Sequence, residues 1–79
     1  MEEKKSLEQI IADNLVYYRK ASGLTQLEVA EKFNYSDKSI SKWERAEGMP
    51  DILVLKALAD FYDIRVDDFF KEEKAKIKM

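Results

Sequence analysis

The chain has 79 residues, 14 basic and 16 acidic side chains, a formal net charge of −2, no His and no Cys. That leaves room for one small domain, and it excludes a disulfide framework, a zinc finger and any Cys or His nucleophile or base. No apolar run approaches the ~18 residues of a membrane span and no apolar stretch follows Lys4 and Lys5, so neither an anchor nor a signal peptide is expected, and a cytoplasmic location is.

Two Gly and one Pro leave few helix breakers, and no β-alternation of useful length is present. Leu7, Ile10, Ile11, Leu15 and Tyr18 share one face of a helix predicted over about 6–21, with Ser6 as N-cap. Gly23 ends it, because glycine takes the left-handed conformation at no steric cost. Thr25 and Glu28 form the two ends of a capping box for a short second helix, about 25–33. Its apolar face is Val29, Ala30 and Phe33, and Asn34 follows as a left-handed stop.

Ser36 caps a third helix, about 36–46, with Asp37 placed to suit the helix dipole. Ile40 and Trp43 give it a narrow apolar seam. Asp37, Lys38, Ser41, Lys42 and Arg45 make one continuous polar face. Gly48 and Pro50 end the segment. Asp51 caps a fourth helix through Tyr62, whose core face is Ile52, Leu55, Leu58, Ala59 and Tyr62, and Asp63 breaks it. A second apolar line on that helix, Leu53, Ala57 and Phe61, marks either deep burial or a contact between two copies. A fifth helix is predicted over 66–70, anchored by Phe69 and Phe70, followed by a charged tail from Lys71 that is expected to fray.

A short capped helix, a three-residue turn and a second helix with a polar, Lys-bearing face make a helix-turn-helix. Arg19 with Gly23-Leu24-Thr25-Gln26, Val29-Ala30, Ser36, Ile40-Ser41-Lys42-Trp43-Glu44-Arg45, Met49-Pro50-Asp51, Leu58-Ala59 and Asp67-Asp68-Phe69-Phe70 stand in order. In that string the sequence resembles the phage-repressor (lambda-repressor-like, Cro-like, XRE) helix-turn-helix regulators over about residues 11–70. The resemblance implies an all-α, five-helix domain over residues 1–70, the charged tail 71–79 lying outside it. It implies a sequence-specific DNA-binding transcriptional regulator, most often a repressor, acting as a homodimer on two half-sites of double-stranded DNA.

By the same resemblance, Asp37, Lys38, Ser41 and Lys42 lie where the family presents side chains to base edges. Gln26, Ser36 and Arg45 lie where it holds phosphates. Arg19 and Glu44 match a mostly buried ion pair joining the first helix to the end of the third. Asn34 replaces the commoner Gly of the turn, and Leu27 stands where the family usually has a polar residue. Arg65 stands where a Ser or Thr usually caps the fifth helix, which is therefore expected to begin loosely.

Other readings of these residues stand beside the resemblance. Lys38 and Lys42 are also what a solvated helix face carries. Asp37 either accepts from cytosine N4 or only complements the helix N-terminus. Trp43 reads as core packing rather than a base-stacking group. The adjacent carboxylates Asp67-Asp68 and Glu72-Glu73 do not share a helix face and suggest no metal. No metal, cofactor or catalytic residue is implied, and an enzyme is not expected. The alternative function is an antitoxin or protein-interaction module with a protein partner. The net charge taken alone argues mildly against nucleic acid, but its distribution does not exclude DNA: residues 19–45 sum to +2, whereas residues 46–70 sum to −4.

Overall fold

Ser6, Thr25, Ser36 and Asp51 each open a helix in the same way. The side-chain oxygen accepts the backbone N–H three residues on, at 3.1, 3.0, 3.2 and 2.9 Å. Each such cap contributes about 1 kcal/mol. The computed structural model describes residues 5–72, which form α1 (Leu7–Ala21), α2 (Gln26–Phe33), α3 (Asp37–Glu44), α4 (Ile52–Tyr62) and a terminal 3₁₀ helix (Val66–Phe70). Among the described residues there is no strand. Thr25 also receives the reciprocal half of its capping box, its own N–H donating to Glu28 at 2.8 Å.

The four α-helices close in the same way as well. A left-handed residue stands just past each end: Gly23 at φ 73°, Asn34 at 64°, Ala46 at 61° and Asp63 at 62°. The N–H that follows it turns back to a carbonyl of the last helical turn. These bonds run from Leu24 to Arg19, Tyr35 to Ala30, Glu47 to Lys42 and Ile64 to Ala59, at 2.8–3.2 Å. This closure satisfies carbonyls that a helix end would otherwise leave without donors.

Three expectations about the helices need correction. First, the third helix ends at Glu44 rather than about 46, because the turn closes on Ala46 and not on Gly48. Second, the fifth helix is 3₁₀, one tight turn too short to settle into α geometry. Third, that helix does not begin loosely at Arg65: the Asp68 carboxylate accepts the Arg65 N–H at 2.9 Å and caps it from inside. The described part of the charged tail stops at Glu72; residues 73–79 lie outside the described residues.

The core is one cluster: Ile11 and Leu15 of α1, Val29 and Ala30 of α2, Ile40 of α3, Leu55, Leu58 and Ala59 of α4, and Phe69. Ala30 is fully buried, the small residue that lets α2 pack against α3. The other end of the domain is fastened by Asn14, buried within α1. Its amide nitrogen donates to the carbonyls of Phe69 (2.7 Å), Lys71 (2.9 Å) and Asp68 (3.3 Å). Its oxygen has no partner among the described residues and lines a recess of about 10 Å³, room for roughly one water molecule. Ile52, assigned to the core face of the fourth helix, is instead 74% exposed, and its neighbour Leu53 is 78% exposed. The first turn of α4 overhangs the elements it packs on.

Candidate nucleic-acid interface

The polar face of α3 depends on what holds its back. Ile40 is buried and Trp43 packs against the core cluster, with the Tyr35 ring edge-on to it at 5.2 Å. Trp43 is therefore a packing residue. At the end of α3, Glu44 turns inward to α1. Arg19 Nε and Nη2 donate to its two carboxylate oxygens at 2.7 and 3.0 Å, and Nη1 donates to the Leu24 carbonyl at 2.8 Å. The Arg19 and Glu44 side chains are only 12% and 7% exposed. Gln26, the first residue of α2, donates from Nε2 to Glu44 Oε1 at 2.9 Å. One carboxylate thus joins α1, α2 and α3, and the angle between the two helices of the helix-turn-helix is set by a charged hinge pin rather than by apolar contact alone.

The same network perturbs Tyr62 beneath it. Burial, with the Glu44 carboxylate nearby, pushes the phenol up to about 12, against a smaller downward pull from Arg19. The folded-state value lies above the ordinary tyrosine value of 10.0. The linked stability is therefore complete below about pH 10 and is lost as the pH rises from there towards 12. Urea midpoints should fall across that window, and Tyr62→Phe should remove the larger part of the fall. Burial also raises Tyr18, and the hydrogen bond to Asp13 raises Lys5, so both contribute to what remains. An equally steep fall in the Tyr62→Phe protein would show that the phenol is not responsible.

On the outer side, Lys38, Ser41, Lys42 and Arg45 line an open recess of about 290 Å³. Asp37, Lys38 and Lys42 are exposed, and among the described residues no side chain hydrogen-bonds them. Three of the four residues predicted to face bases thus present charged ends that no side-chain hydrogen bond engages. Ser41 differs, because its hydroxyl accepts a hydrogen bond from Arg45 Nη1. Ser36 keeps its hydroxyl on the Ser39 N–H and beside the Ser39 hydroxyl, at 3.2 and 3.3 Å. Gln26 donates one N–H of its amide to Glu44, which leaves the second N–H as a donor and the oxygen as an acceptor.

Sequence reasoning passed over Glu47. Its carboxylate takes Arg45 Nη2 at 2.9 Å and Nε at 3.2 Å. Opposite charges two residues apart were the available signal, but pairing there depends on the left-handed turn at Ala46.

The Leu53, Ala57 and Phe61 line on α4 is split. Leu53 is exposed and Ala57 half-buried, while the Phe61 ring is partly covered by the Phe33 ring at 5.3 Å and the Lys32 ammonium at 5.7 Å. Among the described residues no group of acidic, His or Cys side chains could hold a metal ion, and no helix is long and apolar enough to cross a membrane.

The sequence model of a family described as helix-turn-helix matches residues 15–69. The chain is 32% identical over 62 residues to the HTH-type transcriptional activator BcrR of Enterococcus faecalis, covering 78% of this chain and 30% of that protein. It therefore spans under a third of that relative. Among solved structures it is similar to the SOS-response transcriptional repressor LexA from Eubacterium rectale. The TM-score is 0.81 at 28% identity, over 99% of this chain and 83% of that one.

Proposed function

Because this chain belongs to the helix-turn-helix family of the phage-repressor (XRE) type, we propose that it is a transcription regulator that binds double-stranded DNA as a dimer and reads the major groove with α3. The observation that supports this best is the row Asp37, Lys38 and Lys42, whose charged ends are exposed and held by no side-chain hydrogen bond, on a helix pinned at its end through Glu44. Lys38 and Lys42 donate to guanine O6 and N7, and Asp37 accepts from cytosine N4. Ser41 joins them once Arg45 moves to the backbone. Gln26, Ser36 and Arg45 hold phosphates and fix register without carrying sequence information. The DNA-binding unit is residues 1–70, with the charged residues 71–79 outside it.

Two copies would read half-sites about 10–10.5 bp apart. Leu53 and Ala57, with the free edge of Phe61, make the dimer contact, and exposed Ile52 extends it. Ala57→Glu should shift the chain towards monomer in sedimentation velocity. An unchanged mass distribution would remove this surface as the dimer contact. Of the two relatives, one is named an activator and the other a repressor. Repression is the reading proposed, since covering promoter DNA needs no surface beyond the one that binds it.

The test is selection of bound sequences from random duplexes, repeated with Lys38→Ala. The expected result is a two-fold-symmetric motif that loses information at one position per half-site in the variant. Affinity should fall with salt with a log–log slope near −4 to −5, for about four to six phosphates neutralised per dimer at ~0.9 each. A slope near zero would overturn the reading. The exposed pair Ile52 and Leu53 favours a second reading, a protein-interaction module of antitoxin type. Capture of a partner without DNA, together with no shift of any duplex, would favour it.

A further inference from the structure

Arg45 is the cation at the end of the α3 recess, and it already holds an anion. The Glu47 carboxylate grips it at two points, Nε and Nη2, while the remaining edge of the guanidinium sits on the Ser41 hydroxyl. Glu47 is aimed there by backbone and not by chance of rotamer. Ala46 turns left-handed at φ 61°, and the Glu47 N–H closes onto the Lys42 carbonyl at 2.9 Å. That closure returns the chain over the end of α3. Both Arg45 and Lys42 hold the Glu47 carboxyl below its usual range, so it stays an anion. A carboxylate and a phosphodiester offer a guanidinium fork the same pair of oxygens. A duplex that takes Arg45 must therefore displace Glu47 from it.

We propose that Glu47 is a built-in phosphate mimic that competes with DNA for Arg45, so that duplexes which do not fit the rest of the surface gain little from this cation. The proposal rests on the DNA-binding reading above and adds a device to it. A phosphate that displaces Glu47 exchanges one two-point anion for another, which contributes little net attraction. If α3 is not seated, Arg45 and Glu47 stay paired and the pair lends no net attraction. The effect is to hold down the attraction that Arg45 lends to any duplex, so that affinity rests on the contacts of Asp37, Lys38 and Lys42, which only a fitted duplex makes in full.

The experiment measures binding to a duplex of random sequence, as a function of salt, for wild type, E47Q, R45Q and the double variant. E47Q is expected to bind about threefold more tightly at moderate salt, the scale of one exposed ion pair. Its log–log salt slope should steepen by about 0.9 per bound copy. In the R45Q background, where Glu47 acts only as a nearby negative charge, the same substitution should change both quantities by clearly less. An equal gain with and without Arg45 would overturn the proposal, since Glu47 would then act only as a general negative charge. Wild type and E47Q binding alike, with an ordinary salt slope, would overturn it while leaving the DNA-binding reading intact. Failure of both proteins to bind any duplex would overturn that reading and the proposal together. Thermal unfolding of each variant reports that the fold is unchanged.

Discussion

Glu44→Ala should lower the unfolding free energy by about 3–5 kcal/mol, the cost of leaving one partner of a buried ion pair uncompensated. In the variant, Arg19 would keep a single acceptor, the Leu24 carbonyl, and would remain 12% exposed with its charge intact. Gln26 would lose its acceptor in the same step. A domain of this size has roughly 4–12 kcal/mol to lose, so the variant is expected at the edge of folding, with its melting temperature lower by about 12 °C or more at about 4–8 °C per kcal/mol. The companion variant, Arg19→Met with Glu44→Leu, removes both charges and should recover most of the loss. Urea denaturation of both proteins checks this. A Glu44→Ala loss below about 1 kcal/mol would mean that the pair behaves as an exposed one.

Phe69→Ala should cost a similar amount, about 3–5 kcal/mol, through the apolar area lost and the cavity left. The expectation is notable because Phe69 lies in a five-residue 3₁₀ helix that could be taken for a dispensable end. Yet its ring is completely buried, edge-on to Tyr18 at 5.8 Å, and its carbonyl is held by Asn14. Phe69→Leu keeps most of the volume and should retain a cooperative transition at reduced stability. If Phe69→Ala unfolds at nearly the wild-type urea concentration, the 3₁₀ helix is not part of the cooperative unit.

What could be read from the sequence was local. Ser6, Thr25, Ser36 and Asp51 act on backbone three residues away, and Gly23 and Asn34 act on their own φ, so each was legible from its neighbours alone. Ala46 was not. Alanine has no preference for the left-handed region, and Gly48, two residues later, looked the natural stop. Closure of the turn onto Lys42 chose the earlier residue. Ile52 was misplaced because helical periodicity says which residues share a face, not how far the neighbouring element extends beneath it. The Arg19–Glu44 pair, separated by 25 residues, came from family resemblance and not from spacing. Asn14 had no such help, and its partners lie 54–57 residues away. On α3, the exposed face followed from the pattern of polar residues. The pairing of Arg45 with Glu47 did not, because it depends on the turn at Ala46 that brings Glu47 back.

The hold of Asn14 on residues 68–71 has a mechanical side. A pull on the chain beyond residue 72 would reach the Lys71 carbonyl first and pass through the Asn14 amide into the middle of α1. It would not act directly on the Glu44 pin or on α3, so tension on that side of the domain would be borne away from the surface proposed to meet DNA. The load would fall on Asn14 and then on Phe69, and its limit is the force that tears Phe69 from the core.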